Sequence, residues 1–173
     1  MRKILCNFTE HGEQVLAILN EVIENSTALY DYKARTLQQM QEWFQFKNDH
    51  HFPVLGYIND TGKLMGFASF GPFRHFPAYK YTVEHSIYVH QEFRGKGLGK
   101  TLLRDIVAAA QERQYHVVIG ALDQNNTGSI ALHEQMGFTH CGTIHQAAFK
   151  FGKWLNLVFY QKILPTPETP HDG

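Results

Sequence analysis

A basic, glycine-rich turn dominates the chemistry of this chain: Glu92-Phe93-Arg94-Gly95-Lys96-Gly97-Leu98-Gly99-Lys100-Thr101. It follows the strand-like run Ser86-Ile87-Tyr88-Val89 and opens an amphipathic helical pattern. Successive backbone N–H groups without side-chain obstruction converge on an anion, and a helix N-terminus adds partial positive charge. Arg94, Lys96 and Lys100 add full charges. The turn reads as a phosphate cradle.

Two nucleotide motifs fail here. The pattern G-x-x-x-x-G-K-[ST] would end at Gly99-Lys100-Thr101, but its first glycine falls on Arg94, whose bulk spoils close approach to phosphates. The strand-like run His116–Asp123 would have supplied that reading with a metal-binding aspartate. The dinucleotide pattern G-x-G-x-x-G fits Gly95 and Gly97 but meets lysine at position 100. R-x-x-G-x-G is met in full, by Arg94, Gly97 and Gly99.

The elements that must position this turn follow from periodicity. Ile4–Phe8 reads as a strand and 11–25 as a helix, with Val15, Leu16, Ile18, Leu19, Val22 and Ile23 on one face. Thr36 is a good N-cap for a second helix through Lys47. Strands follow at 53–58 and 64–70, joined by the hairpin turn Asn59–Lys63. An aromatic and proline-rich loop, 71–80, precedes a long strand, 81–89. After the glycine turn, Leu98, Leu102, Leu103, Ile106, Val107 and Ala110 form an apolar stripe. The continuous run Tyr115–Leu122 suits a strand covered on both faces. Asn126 caps a helix to Gln135, closed by Gly137 in a left-handed position, and strands at 138–144 and 155–164 finish the chain. The order β-α-α-β-β-β-α-β-α-β-β predicts a mixed α/β sheet, antiparallel early and locally parallel around the glycine-turn helix.

Composition sets bounds. The 173 residues suit one domain, here 1–164, with a proline-rich tail at 165–173 expected to be disordered. Sixteen basic residues balance sixteen acidic ones, so no bulk charge favours nucleic acid or an anionic membrane. No run approaches the ~18 apolar residues of a membrane span. Cys6 and Cys141 make no framework, which suits a reducing cytoplasm. His50, His51, His75, His85 and His90 lack ligand spacing, so no metal is expected.

The element order, with R-x-x-G-x-G between the fourth strand and third helix, resembles the GNAT superfamily of acetyl-CoA-dependent N-acetyltransferases, and hence the acyl-CoA N-acyltransferase fold. Within it, Gly71-Pro72-Phe73-Arg74, Pro77-Ala78-Tyr79, Thr82-Val83-Glu84, Ser86–Val89, Asn126, Ser129–Glu134, Gly137-Phe138 and Phe149–Trp154 look like the phosphinothricin and methionine sulfoximine N-acetyltransferase family. Those enzymes acetylate the α-amine of a small amino acid or analogue, and the resemblance implies a homodimer; the role is either detoxification of inhibitory analogues or more general amino-acid acetylation.

The resemblance implies roles residue by residue. Glu84 matches the base that takes the amine proton; on periodicity alone it is a solvated strand residue sharing a face with Thr82 and Ser86. The main chain of Ile87, Tyr88 and Val89 would polarise the thioester oxygen and pair with the pantetheine arm. Arg94, Gly95, Lys96, Gly97, Leu98, Gly99, Lys100 and Thr101 would hold the pyrophosphate, and Asn126 and Ser129 would contact the CoA arm or adenosine phosphates. His133, seven residues after Asn126, would stabilise the leaving thiolate or organise the base through water; otherwise it is a packing histidine. Arg74 matches a substrate-binding cation, with Phe73, Tyr79 and Thr82 lining the pocket. A second expected cation is missing, since Phe76 stands there, which points to a substrate side chain that is less acidic or more apolar. His85 should point away from Glu84, because strand neighbours alternate. A protein N-terminal or lysine acetyltransferase would need an open peptide groove, against which the bulky 73–79 loop argues. Retention of both Glu84 and His133 argues against a non-catalytic acyl-CoA sensor.

Overall fold

In the computed structural model, which describes all 173 residues, Asn7 accepts the Glu10 N–H on its side chain at 2.9 Å and starts a helix at Phe8. That cap draws Phe8 out of the expected first strand. Strand β1 is therefore Arg2–Leu5, and helix α1 spans Phe8–Asn25, starting three residues before His11. Thr36 caps α2, Leu37–Asp49, in a full capping box with Gln39, which satisfies two terminal donors reciprocally. The remaining elements are β2 Val54–Ile58, β3 Leu64–Pro72, β4 Thr82–Val89, α3 Leu98–Glu112, β5 Val117–Asp123, α4 Thr127–Gln135, β6 Thr139–Lys150 and β7 Lys153–Ile163. Short 3-10 turns occupy Pro77–Tyr79 and Gln91–Phe93.

The sheet order is β1-β2-β3-β4-β5-β7-β6. β1, β2 and β3 pair antiparallel. β4 and β5 are parallel, as a crossover through α3 requires. β5, β7 and β6 return to antiparallel pairing. This is the mixed α/β sheet that the element order predicts.

The chain divides into two units, Met1–Ser69 with Ile87–Leu103 and Phe70–Ser86 with Arg104–Gly173. The first unit buries Val15, Ile18 and Leu19 of α1, Met40 and Phe44 of α2, and Val54, Leu64 and Phe67 of the strands in one cluster. Partly buried Tyr88 of β4 packs against it. This burial holds α1 firmly, and it is the helix that carries Glu21.

In the second unit Val83, Ile106, Ala110, Val118, Phe138, Leu155 and Val158 are buried. β6 continues six residues beyond its expected end at Ile144. Its ladder is broken by an irregularity between Ile144 and Ala148, where the Asn156 side-chain oxygen accepts the Gln146 N–H at 2.8 Å. The β6–β7 turn places Phe151 and Gly152 at φ 51° and 74°, the positive values a tight hairpin of matching twist demands. Segment 165–173 carries no helix or strand, yet it is tied down. The Thr166 hydroxyl donates to the Tyr115 carbonyl at 2.5 Å, His116 Nδ1 bonds the Thr166 carbonyl at 2.9 Å, and His171 meets the Tyr81 hydroxyl. No helix is long and apolar enough to cross a membrane.

Candidate active site

The glycine turn is built as the sequence demands. After the 3-10 turn, Gly95 and Gly97 adopt φ 72° and 81°. A Cβ at either would meet nothing within 4 Å, so the backbone angle and not crowding requires glycine. α3 begins at Leu98, and its first intrahelical acceptor bond runs from the Thr101 N–H to the Gly97 carbonyl at 3.3 Å. The N–H groups ahead of Thr101 are the unpaired donors of a helix start. Lys96 Nζ donates to the Glu92 carbonyl at 3.0 Å, while Lys63 pairs with the Glu92 carboxylate at 2.6 Å. Lys100 is exposed. The Arg94 guanidinium is turned away from this row of charges. Its Nε donates to the Val89 carbonyl at 3.0 Å and its two Nη atoms fork onto Glu21 of α1.

Ile87, Tyr88 and Val89 end β4 half-buried. The β4–β5 ladder covers Thr82–Glu84 against Val117–Ile119 and stops there. Gly66 of β3 sits under the same stretch. A Cβ on it would come within 2.8 Å of the Tyr88 carbonyl oxygen and 3.2 Å of Val89 Cα. Both are backbone atoms, so only glycine permits this approach.

In the second unit the strand alternates cleanly. Thr82, Glu84 and Ser86 are half-buried, whereas Val83 and His85 are buried on the other face. Burial pushes the Glu84 carboxyl above the ordinary carboxylate range, and the positive charge of Arg74 pulls it partly back. The structure therefore brings the candidate base and the candidate substrate cation into one electrostatic neighbourhood. Arg74 lies over the Phe73 ring, 5.1 Å from its centroid, and Phe73 meets Tyr79 edge-on at 6.0 Å. The Phe73 N–H also reaches the Thr82 carbonyl at 3.5 Å. Phe76 points out, 75% exposed.

His133 is brought to His85, on the sheet face away from Glu84. It is 2% exposed. Its Nδ1 bonds the Ser129 carbonyl at 2.7 Å and its Nε2 lies 2.9 Å from His85 Nε2. A carbonyl only accepts, so Nδ1 carries the hydrogen and Nε2 of neutral His133 accepts from His85. Burial depresses both imidazoles. His85 falls to about 3, with the neighbouring His133 adding to the effect, and the Ser129 bond partly offsets the fall at His133. Ser129 thus supplies a carbonyl to His133 and an N–H, at 3.1 Å, to the side chain of the N-cap Asn126. Sequence reasoning missed the partner role of His85, the Glu21 fork and the close approach at Gly66 and Gly120. The glycine inside the apolar run 115–122 was the readable signal for the last.

Glycines at positive φ lead into α3, and the strand that precedes them in the chain carries the half-buried carboxylate of Glu84. The chain belongs to the Acetyltransferase (GNAT) family, whose model matches residues 16–138. The L-methionine sulfoximine/L-methionine sulfone acetyltransferase of Pseudomonas aeruginosa is 38% identical over 157 residues, 90% of this chain and 91% of its own. Among solved structures, a protein from Acinetobacter baylyi superposes with a TM-score of 0.98 at 50% identity, covering 99% of this chain and 96% of that one. A phosphinothricin acetyltransferase from Sinorhizobium meliloti, solved in complex with acetyl-CoA, gives 0.93 at 28% identity, covering 98% and 91%.

Proposed function

We propose that this protein transfers acetyl directly from acetyl-CoA to the α-amine of a small amino acid or analogue of the methionine sulfoximine, methionine sulfone or phosphinothricin type. The observation that carries the reading is Glu84: a half-buried carboxylate with a raised pKa, in the field of Arg74, at the point where the β4–β5 ladder ends.

The residues fit acetyl-CoA. Main-chain N–H groups of Gly95 to Lys100, with the Lys96 and Lys100 side chains, suit a diphosphate. Backbone groups of Ile87, Tyr88 and Val89 lie beyond the last β5 pair and suit the pantetheine arm and the thioester oxygen. An aligned oxyanion donor there lowers the barrier by roughly 3 kcal/mol. Asn126 accepts the Ser129 N–H at the start of α4, and both residues are candidates for contacts to the CoA arm.

Acetyl-CoA supplies an activated carbonyl carbon; the amine nitrogen bonds to it and the C–S bond breaks. An α-amine titrates near ~8 and is largely protonated at neutral pH, so a base must act. Glu84, directly or through one water, takes the amine proton and passes it on towards the sulfur or solvent. Arg74 receives the substrate carboxylate, with Phe73, Tyr79 and Thr82 around it. His133 has both ring nitrogens engaged and no N–H to give a thiolate, so we assign it a supporting part: it fixes α4 against β4 through His85.

The protein works as a homodimer in the cytoplasm, consistent with exposed Phe149, Phe151 and Trp154 on the β6–β7 hairpin and with unpaired Cys6 and Cys141. Detoxifying inhibitory amino-acid analogues is the role this activity serves. The experiment is thiol release from acetyl-CoA over a panel of methionine sulfoximine, methionine sulfone, phosphinothricin, ordinary amino acids and an N-terminal peptide. Turnover confined to the peptide, or to no amine at all, refutes the reading.

A further inference from the structure

Arg94 opens the R-x-x-G-x-G motif, yet its guanidinium does not face outward over the glycine turn. Three of its five N–H donors are committed within the first unit: Nε to the Val89 carbonyl at 3.0 Å, Nη1 to Glu21 Oε1 at 3.3 Å, and Nη2 to Glu21 Oε2. Fork-to-carboxylate pairing of this kind is directional as well as attractive. Glu21 is the more buried partner, with its side chain 21% exposed against 46% for Arg94. It stands on α1, whose inner face is sealed in the core by Ile18, Leu19, Val22 and Ile23.

The geometry points to Glu21 as a positioning residue for the coenzyme turn, an inference that rests on the acetyl-CoA reading above. Arg94 acts as a fastener with two anchors, the carbonyl that ends β4 and a carboxylate on a buried helix. It holds both the strand end and the turn that presents the amides of Gly95 to Lys100. Its charge is already answered by Glu21, so it serves a diphosphate through loop shape, and the direct cationic contacts fall to Lys96 and Lys100. The opposite possibility, a Glu21 carboxylate that the diphosphate must displace from Arg94, predicts the reverse sign in the same experiment.

The test is calorimetric titration of acetyl-CoA into the full chain and its Glu21→Gln variant, with saturation kinetics on the best amino acid from the panel. Glu21→Gln keeps the side-chain shape and removes the charge. Its Kd and KM for acetyl-CoA should rise about tenfold, with kcat at saturation within about twofold of the parent, as loss of a uniform binding contribution gives. A partly exposed ion pair contributes little to global stability, so the melting temperature should move by under about 3 °C. Arg94→Lys keeps the cation but cannot bond both anchors, and should weaken acetyl-CoA as much as Glu21→Gln does. The double variant should be no weaker than either single one. Tighter acetyl-CoA binding by Glu21→Gln, unchanged binding, or parental affinity in Arg94→Lys each overturns the inference while leaving the acetyl-CoA reading intact. Absence of acetyl-CoA binding by the unaltered chain removes that reading and the inference with it.

Discussion

His85 and His133 share a single hydrogen between their Nε2 atoms, 2.9 Å apart, with their rings stacked at 5.0 Å. The direction of that bond is set from outside the pair. The Ser129 carbonyl claims the proton of His133 Nδ1, so His133 Nε2 must accept. His85 then donates, and its own Nδ1 is left as a buried lone pair without a protein partner. Phe138 meets both rings edge-on, at 5.7 Å and 5.1 Å. The pair is a neutral polar link inside an apolar setting, joining the strand of the candidate base to the helix capped by Asn126.

Gly120 makes room for this link. A Cβ there would lie 3.0 Å from His133 Cδ2 and Nε2 and from His85 Nε2. Gly120→Ala must therefore press two buried rings apart, and overpacking of that kind costs about 1–3 kcal/mol. Thermal melting should show a fall of several degrees, with acetyl-CoA still bound below the transition. A melting temperature equal to the parent's would mean the rings have slack that the distances do not show.

The pair also makes stability depend on acid. His85 titrates near 3 in the folded chain against an ordinary 6.5, and His133 is shifted the same way. Between those pH values the unfolded chain binds protons that the folded chain refuses. Stability is thus full above about 6.5 and falls as pH drops towards 3, by up to ~1.4 kcal/mol per pH unit for each proton refused. Glu84 works the other way. Its raised carboxyl holds a proton that the unfolded chain has released above 4.5, which partly offsets the loss. Urea unfolding at pH 7, 6, 5 and 4 measures the slope. His85→Gln, which keeps a donor but cannot titrate, should flatten it; parallel slopes would show that residue 85 is not held neutral.

How much of this was legible beforehand divides along physical lines. Local signals were readable. Thr36 and Asn126 declared their helices because a cap is satisfied within three residues, and Gly137, at φ 78°, ended α4 where a left-handed position was required. The parallel β4–β5 pair followed from the helix between them. What sequence could not show was pairing over distance. Glu21 and Arg94 are 73 residues apart and His85 and His133 are 48 apart. Only the fold brings either pair together. The extension of β6 was hidden for a different reason, since a ladder irregularity breaks the alternation that would have revealed it.

Glu84→Gln should cut kcat by about 10²–10⁴-fold, the usual worth of a positioned base. KM for acetyl-CoA should hardly change, because the residue lies outside the glycine turn proposed to hold the diphosphate. Only the ionised carboxylate accepts a proton, so the parent's rate should fall on the acid side as pH drops through the raised Glu84 pKa. The variant should lack that limb. An intact kcat in Glu84→Gln would mean that water alone deprotonates the amine.

Arg74 separates binding from base strength. Its charge lowers the Glu84 pKa. Arg74→Ala should move the acid limb of kcat to higher pH, leaving less active base at neutrality, and should also raise KM for the amino acid. Arg74→Lys keeps the charge and should restore the limb while recovering KM only in part, since lysine cannot offer a fork to a carboxylate. A limb that stays in place in Arg74→Ala would show that desolvation alone sets the Glu84 pKa.

Phe76 tests substrate choice. The resemblance leads to the expectation of a second cation in this loop, and here a 75% exposed aromatic stands at that position, two residues from Arg74. Removing so exposed a ring should cost the fold almost nothing. Phe76→Arg adds one positive charge to the loop that carries Arg74, the candidate substrate cation. An exposed ion pair is worth roughly 0.2–1 kcal/mol. The ratio of kcat/KM for phosphinothricin over methionine sulfone should accordingly rise about two- to fivefold, and the gain should shrink as salt is added, because screening weakens exposed charges first. A ratio that does not move, or a gain that survives high salt, would place the side-chain specificity of this enzyme elsewhere than residue 76.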